Sequence, residues 1–403
     1  MSTATDTSRG QLLHMLAEAA ELEHNLLCSY LYAAFSLKRH ADEDLRPDEV
    51  AAVGRWRATI MHVCMEEMAH LAQVANLMVA VGARPHFDRP NLPVAAGYHP
   101  ASIQVALAPF DLDTLDHFIF LERPADAPLH DPAVFEEVAA APERADAATG
   151  MLMPSAPEYA TIGAFYELLT GTLAALAAQL GEKNLFVGPA AHQMAPDEIG
   201  MEELSVVTDL ASAQQALHLI VVQGEGAPGE SDESHFKAFM GIKDEYLRLR
   251  AARADFHPSR DVARNPVMRA PLVEDRVHVK APAAAALLDA ANAAYALMLR
   301  ALTALYDSGA SNERGALIGC ATGMMKLLAQ LSERLTMLPA DAEDGVRAGV
   351  TFTMLRSTEG WAPGVDGAAL LVEELERIKA RLPHLDVATD AVDKVLQGFS
   401  KPT

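Results

Sequence analysis

A charged pair inside a long apolar stretch constrains this chain more than any other feature. Glu67 and His70 lie within residues 60–81, which are otherwise almost wholly apolar. On a helix, residues three apart project from one face, a single turn from each other. A buried carboxylate beside a buried imidazole is costly unless a cation compensates, and a metal ion does so directly. We therefore interpret the pair as metal ligands, with a structural buried pair as the alternative.

Residues 11–38 predict another long helix, apolar around most of its circumference. Glu23 is the best candidate ligand on it, because apolar residues follow at i+3, i+4 and i+7 and place it on the buried stripe. A surface carboxylate is the alternative at this position. Glu21 is interpreted as a solvated neighbour.

A third helix is predicted over residues 158–180, and its one internal acid is Glu167, between Tyr166 and Leu168. Ionising an isolated carboxylate in an apolar run is unfavourable without a partner, so Glu167 is a further candidate ligand. A fourth segment, residues 209–225, leads to another helix that opens at His235 and continues to about residue 253.

Several blocks occur in an order that resembles the ferritin-like domain of the imino-acid dimer synthases of violacein-type and indolocarbazole pigment biosynthesis. The resemblance covers roughly residues 11–250 and is carried by Glu23 with Tyr30-Leu31, Glu66-Glu67-Met68-Ala69-His70 with Asn76-Leu77, Ile162-Gly163-Ala164-Phe165-Tyr166-Glu167, Gln223-Gly224-Glu225-Gly226 and Ser234-His235-Phe236. It implies a four-helix bundle. It also implies metal ligation by Glu23, Glu67, His70, Glu167, Glu225 and His235.

The last two of these residues depart from the usual helical spacing. Glu225 and His235 are ten residues apart, with glycines and a proline around them. An unbroken helix there is implausible, so we predict that the helix stops at Gln223 and restarts after Ser231. Asp232 is a rival ligand, because it lies three residues before His235. Glu225 is preferred because an apolar run leads into it, and Asp232 is then a candidate cap of the restarted helix.

Composition limits the partners and the compartment. The formal net charge of -23 argues against nucleic acid and anionic membranes as partners. The three cysteines are scattered through helical segments and are expected to be core thiols of a reducing compartment. The first residues lack a basic start and an apolar segment, and no run of about eighteen apolar residues occurs elsewhere. We expect a cytoplasmic protein with no membrane partner.

Two connections divide the chain. Residues 84–157 are rich in Pro, Asp and Ala, contain an alternating stretch at 102–107 that is typical of a strand, and are too long for a simple loop. We interpret them as an inserted lobe that either roofs the site or is a surface excursion. Residues 256–282 combine proline and charge without helical periodicity and are interpreted as a linker. Further helices are predicted near 283–307, 312–337, 366–382 and 387–398.

The resulting prediction is an all-α protein. Residues 1–255 form a ferritin-like four-helix bundle with its insert, and residues 283–403 form a C-terminal helical domain. Carboxylate and imidazole ligands suit two iron or manganese ions, bridged by Glu67 and Glu167. The expected activity is oxygen-dependent oxidation or oxidative coupling of a small-molecule substrate, with a homodimer as one assembly left open. The alternatives are a metal-free binding or assembly module and an iron-handling ferroxidase.

Overall fold

The protein is built almost entirely from helices, which confirms the predicted all-α class. The computed structural model describes residues 7–94, 98–99, 103–135, 158–224, 234–271, 276–308, 313–342, 345–354 and 366–400. Its α-helices are α1 (Arg9–Ser36), α2 (Pro47–Ala80), α3 (Leu112–Leu121), α4 (Ile162–Leu180), α5 (Glu182–Leu185), α6 (Pro196–Ile199), α7 (Leu210–Gly224), α8 (His235–Ala252), α9 (Pro282–Asp307), α10 (Arg314–Leu335), α11 (Gly367–Arg381) and α12 (Asp390–Phe399). Strands β1 (Pro266–Val267) and β2 (Val277–His278) form a short parallel pair.

Helices α1 and α2 form the central pair of the bundle. Ser8 caps α1 by accepting a hydrogen bond from the backbone N–H of Gln11. Helix α2 begins at Pro47, and two acids follow in its first turn, where proline and negative charge both favour a helix start. Helix α4 packs against α1, α7 packs against α4 and α2, and α8 packs against α2. The four-helix bundle is thus complete, with α7 and α8 sharing its fourth position.

The fourth position of the bundle is described as two helices, and residues 225–233 between them lie outside the described part. Helix α7 ends at Gly224 and α8 begins at His235. Ser234 caps α8, since its side chain accepts a hydrogen bond from the backbone N–H of Lys237. The expectation that Asp232 caps this helix is therefore wrong. Glu225 and Asp232 themselves lie outside the described residues.

The inserted segment contributes to the interior. Its helix α3 packs against α8, and Lys243 Nζ lies 2.6 Å from Oδ1 of Asp116 across this contact. The strand expected at 102–107 does not form, since Val105 makes a single isolated bridge with Val94 and residue 102 lies outside the described part. At its end, α3 brings the next residue, Glu122, into the core. The described part of the insert is therefore not a surface excursion.

The predicted linker is packed against the rest of the protein. Phe256 and Val262 are buried, and Arg260 pairs with Glu43, with Nε 2.6 Å from Oε1. Beyond it, α9 and α10 form a pair that α11 and α12 cover, and α10 also contacts α1. One hydrophobic core includes buried side chains from all of these helices except α6, whose Ile199 is partly buried against it. The division into two domains stays a prediction.

The buried cysteines and the apolar helix α9 can be compared with what composition predicted. Cys28, Cys64 and Cys320 are free and buried, as expected of core thiols. Helix α9 is long and apolar enough to cross a membrane by length and composition, but 61% of its most apolar window is buried inside the protein. A buried core helix has the same length and composition.

Candidate metal centre

Three of the predicted ligands meet between α1 and α2. Glu67 and His70 project from one face of α2, and Glu23 approaches them from α1. Nδ1 of His70 lies 3.3 Å from Oε2 of Glu23 and 3.5 Å from Oε2 of Glu67. No more than 3% of any of the three residues is exposed. They form a first triad whose ligand atoms lie within 4.8 Å of one another.

A second triad shares Glu67 with the first. His235, the first residue of α8, places Nδ1 3.0 Å from Oε1 of Glu67 and 3.7 Å from Oε2 of Glu122. These three side chains are also buried, and their ligand atoms lie within 4.8 Å of one another. Glu67 therefore directs one oxygen to each triad. A carboxylate in this position can bridge two metal ions.

A tyrosine holds the outer oxygen of each terminal carboxylate. Tyr166 on α4 donates a hydrogen bond to Oε1 of Glu23, and Tyr30 on α1 donates one to Oε1 of Glu122. Burial, reinforced by nearby carboxylates, raises the pKa of both phenols well above the usual range, so both remain donors. The Oε2 atom of each carboxylate then faces the histidine of its own triad. The two triads thus have the same construction around Glu67.

The outer nitrogens of both histidines also have partners. Nε2 of His70 lies 2.9 Å from Oε1 of Gln223, and Nε2 of His235 lies 3.2 Å from Oε2 of Glu66. A histidine that binds a metal through one nitrogen commonly donates its other N–H to a carboxylate or carbonyl oxygen. Both histidines are therefore oriented with Nδ1 toward the centre.

The charges at the centre are strongly coupled. Burial and the charge of Glu67 raise the pKa of Glu23 from 4.5 to about 8. Burial acts to lower the pKa of His70, but its contacts with the carboxylates of Glu23 and Glu67 raise it to about 10. Burial acts to raise the pKa of Glu67, but contact with His235 and His70 holds it well below its usual range. Without a metal the cluster retains protons, and a metal ion would displace them on binding.

Two buried atoms at the centre make no hydrogen bond to any described residue. They are Oε2 of Glu67 and Nδ1 of His235. The first lies 3.5 Å from Nδ1 of His70, and the second lies 3.0 Å from Oε1 of Glu67. A buried polar atom left unsatisfied costs about 1–3 kcal/mol, and metal ions bound at the two triads would remove that cost. Carboxylate and imidazole donors also suit iron and manganese. The residues present therefore fit a dinuclear metal centre.

A small cavity adjoins the two triads. Its volume is about 20 Å³, and one water-sized species needs roughly 10–15 Å³. Its apolar walls come from α1, α4 and α7 and include Leu26, Ile162, Ile220 and Val221. A Cβ atom at Gly224 would lie 3.3 Å from Oε2 of Glu122, so the glycine leaves room for that carboxylate.

Glu167 does not reach this centre. Its neighbour Tyr166 faces Glu23, and one residue along a helix turns the side chain by about 100°. Glu167 is exposed, and Leu168 beside it is 39% exposed. The apolar flanks therefore did not indicate burial, and the bridging role predicted for Glu167 is wrong.

The structure brings together Glu23, Glu67, His70 and His235 of the predicted ligands, and Glu225 lies outside the described residues. That these residues bind metal stays a prediction. Sequence reasoning missed Glu122. An acid that directly follows the apolar run at 118–121 does not by itself indicate which residues it will meet in the fold.

Sequence comparisons connect the chain to pigment-pathway proteins. It is 25% identical to dichlorochromopyrrolate synthase of Lentzea aerocolonigenes, over 96% of this chain and 38% of that protein. It is 26% identical to the 2-imino-3-(indol-3-yl)propanoate dimerase of Chromobacterium violaceum, over 65% of this chain and 25% of that protein. The chain thus spans well under half the length of both relatives.

A solved ferritin-like protein from Caulobacter vibrioides is 19% identical, with a TM-score of 0.49 over 80% of this chain and 96% of the other. A sequence model of the ferritin-like family matches residues 16–244, which is more than half of the chain. That range runs from α1 into α8 and contains every residue of the two triads. The chain belongs to the ferritin-like family.

Proposed function

We propose that this protein is an oxygen-dependent oxidoreductase that uses two iron or manganese ions to couple small organic molecules. The observation that carries the proposal is the position of Glu67, which offers one carboxylate oxygen to each of two buried triads. Two ions bound this way would be close enough to act on one oxygen molecule together.

The protein side chains have distinct roles in this proposal. Glu67 would bridge the ions, while Glu23 and Glu122 would each bind one ion through the oxygen that its tyrosine leaves free. His70 and His235 would complete the two sets of ligands, each binding one ion through Nδ1. The bound ions would supply the electron transfer to oxygen. The apolar walls of the cavity would exclude bulk water from the centre.

The relatives suggest the chemical class of the substrate. One is named as a dimerase of an indolyl imino acid and the other as a dichlorochromopyrrolate synthase. We infer that the substrate here is also a small amino-acid-derived molecule. Joining two such molecules by one new bond releases two protons and two electrons. Oxygen would accept them and form hydrogen peroxide.

The test begins with the metal-free chain, loaded with Fe(II) in the absence of oxygen. Oxygen and an aromatic imino acid, generated in place from its amino acid, are then added. We expect about two ions per chain and a product with twice the substrate mass less two hydrogens. Glu167→Gln is the control and should behave like the parent, since the exposed carboxylate that it removes lies outside both triads.

Other outcomes favour other functions. Oxidation of many Fe(II) ions per chain into mineral, without organic product, would identify an iron-handling ferroxidase. A chain that binds neither iron nor manganese would instead be a metal-free binding or assembly module. Either result would overturn the proposed coupling activity.

A further inference from the structure

The two histidines are linked on the side that faces away from the metal positions. Gln223, near the end of α7, accepts from His70 through Oε1 at 2.9 Å. Its Nε2 donates to Oε1 of Glu66 at 3.2 Å. Oε2 of Glu66 lies 3.2 Å from Nε2 of His235. One chain of hydrogen bonds therefore runs from His70 through Gln223 and Glu66 to His235.

The same two histidines are also linked through Glu67 on their inner side. Oε2 of Glu67 lies 3.5 Å from Nδ1 of His70, and its Oε1 lies 3.0 Å from Nδ1 of His235. The inner and outer links close a ring of side chains from α2, α7 and α8. The ring joins α7 to α8, because Gln223 lies near the end of α7 and His235 begins α8.

The polarity of the outer link follows from its chemistry. Gln223 donates through its amide nitrogen to Glu66, which leaves its amide oxygen facing His70. That oxygen can be satisfied only by an N–H at Nε2 of His70. Nε2 of His235 must likewise carry a proton to donate to Glu66. Both histidines then present the unprotonated Nδ1 inward whenever a metal is bound.

We propose that Glu66 and Gln223 are positioning residues that fix both histidines, one at each metal position, for ligation through Nδ1. This inference rests on the proposed metal centre. Glu66 and Gln223 hydrogen-bond to each other as well as to the histidines. A substitution at either position therefore leaves both histidines less firmly oriented. Both metal ions should therefore bind more weakly after a change at either position.

An exchange of the two side chains tests this directly. In Gln223→Glu, two carboxylates face each other. In Glu66→Gln, the new amide accepts from Gln223 through its oxygen, so its nitrogen, a donor, faces the N–H donor of His235. The double variant Glu66→Gln with Gln223→Glu restores the chain, since the new amide donates to the new carboxylate and both histidines again donate to oxygen. The number of charges is also unchanged. His62→Ala is the control, because His62 is exposed and lies 3.8 Å from the same Glu66.

The measurements are the dissociation constants of the first and second Co(II) ions and the 15N spectra of the histidines in the Zn(II)-loaded chain. We expect each single variant to weaken both ions by about 10–100-fold. The double variant should recover to within about threefold of the parent and restore the spectra of histidines bound through Nδ1. The unfolding midpoint of each metal-free variant shows whether the fold is intact.

Two results would overturn the inference. One is a double variant that binds metal no better than the single variants, and the other is single variants that weaken one ion only or neither. A parent chain that binds no metal at all would instead contradict the proposed function. The two failures are therefore distinguishable.

Discussion

Oε2 of Glu122 lies 3.7 Å from Nδ1 of His235, although Glu122 follows α3 in the insert and His235 begins α8. Helix α3 packs directly against α8, so the insert and the restarted helix are positioned together. The second triad therefore depends on a segment that a plain four-helix bundle does not contain. Metal binding there should be separable from binding at the first triad.

The first prediction concerns Glu122. Glu122→Ala removes a terminal carboxylate from the second triad and leaves Glu23, Glu67 and His70 in place. We expect bound iron or manganese to fall from about two ions per chain to about one, because one set loses a ligand. Elemental analysis of the purified variant measures this. Glu167→Ala, which changes an exposed acid, should keep both ions, and an equal loss in the two variants would contradict the assignment of Glu122.

The second prediction concerns the pH dependence of the metal-free protein. The pKa of Glu23 is about 8 in the folded state, against an ordinary 4.5, so the folded protein holds a proton that the unfolded chain releases. The pKa of His70 is raised from its ordinary 6.5 to about 10, so above pH 6.5 the folded protein also holds a proton on His70 that the unfolded chain releases. Each group stabilises the fold below its ordinary pKa, and that stabilisation is lost as pH rises toward the folded-state value.

The free energy of unfolding should therefore fall between about pH 7 and 8, above the range in which the lowered pKa of buried His24 acts in the opposite direction, by up to about 1.4 kcal/mol per pH unit for each group that differs by a proton. Glu67 does not oppose this trend, since its lowered pKa affects stability at acidic pH. Urea titrations across the range measure the slope. The slope should be shallower in Glu23→Gln than in the parent, and a parent whose stability rises over this range would show that the protons are held elsewhere.

A third prediction concerns Tyr166. Tyr166→Phe removes the hydrogen bond to Oε1 of Glu23 but keeps the aromatic ring. Glu23 is then free to rotate, and we expect the ion at the first triad to bind about tenfold more weakly. Titration with Co(II) should show one weakened and one unchanged ion. In Tyr30→Phe, the matched variant at Glu122, the other ion should be the weakened one.

Individual residues show how much of the fold and of the candidate site could be predicted from the sequence. Glu67 and His70 were predictable because their helical spacing and apolar surroundings are local features. Glu167 shows the limit, since an apolar flank does not reveal which side of a helix faces solvent. Glu122 could not be placed at the centre from sequence alone, because its position depends on how α3 packs against α8. A second helix opening at His235 was predicted from local sequence, whereas its cap at Ser234 was not.

The fourth prediction concerns Glu225, Asp232 and Ser234. Glu225→Ala should remove the second ion, because an apolar run leads toward it along α7, while Asp232→Ala should keep both ions. Since Ser234 caps α8, Asp232→Ala should also leave stability nearly unchanged, and Ser234→Ala should lower it by about 1 kcal/mol. Metal analysis and urea unfolding of the three variants measure these effects. Metal loss in Asp232→Ala with none in Glu225→Ala would reverse the assignment.

The central claim is that Glu67 is shared by two metal ions, and the metal content of Glu67→Ala with His70→Ala tests it most directly. Both ions lose the carboxylate between them, and one also loses its imidazole. Elemental analysis should give about two iron or manganese ions per chain in the parent and well under one in the double variant. An unchanged metal content in the double variant would contradict the claim.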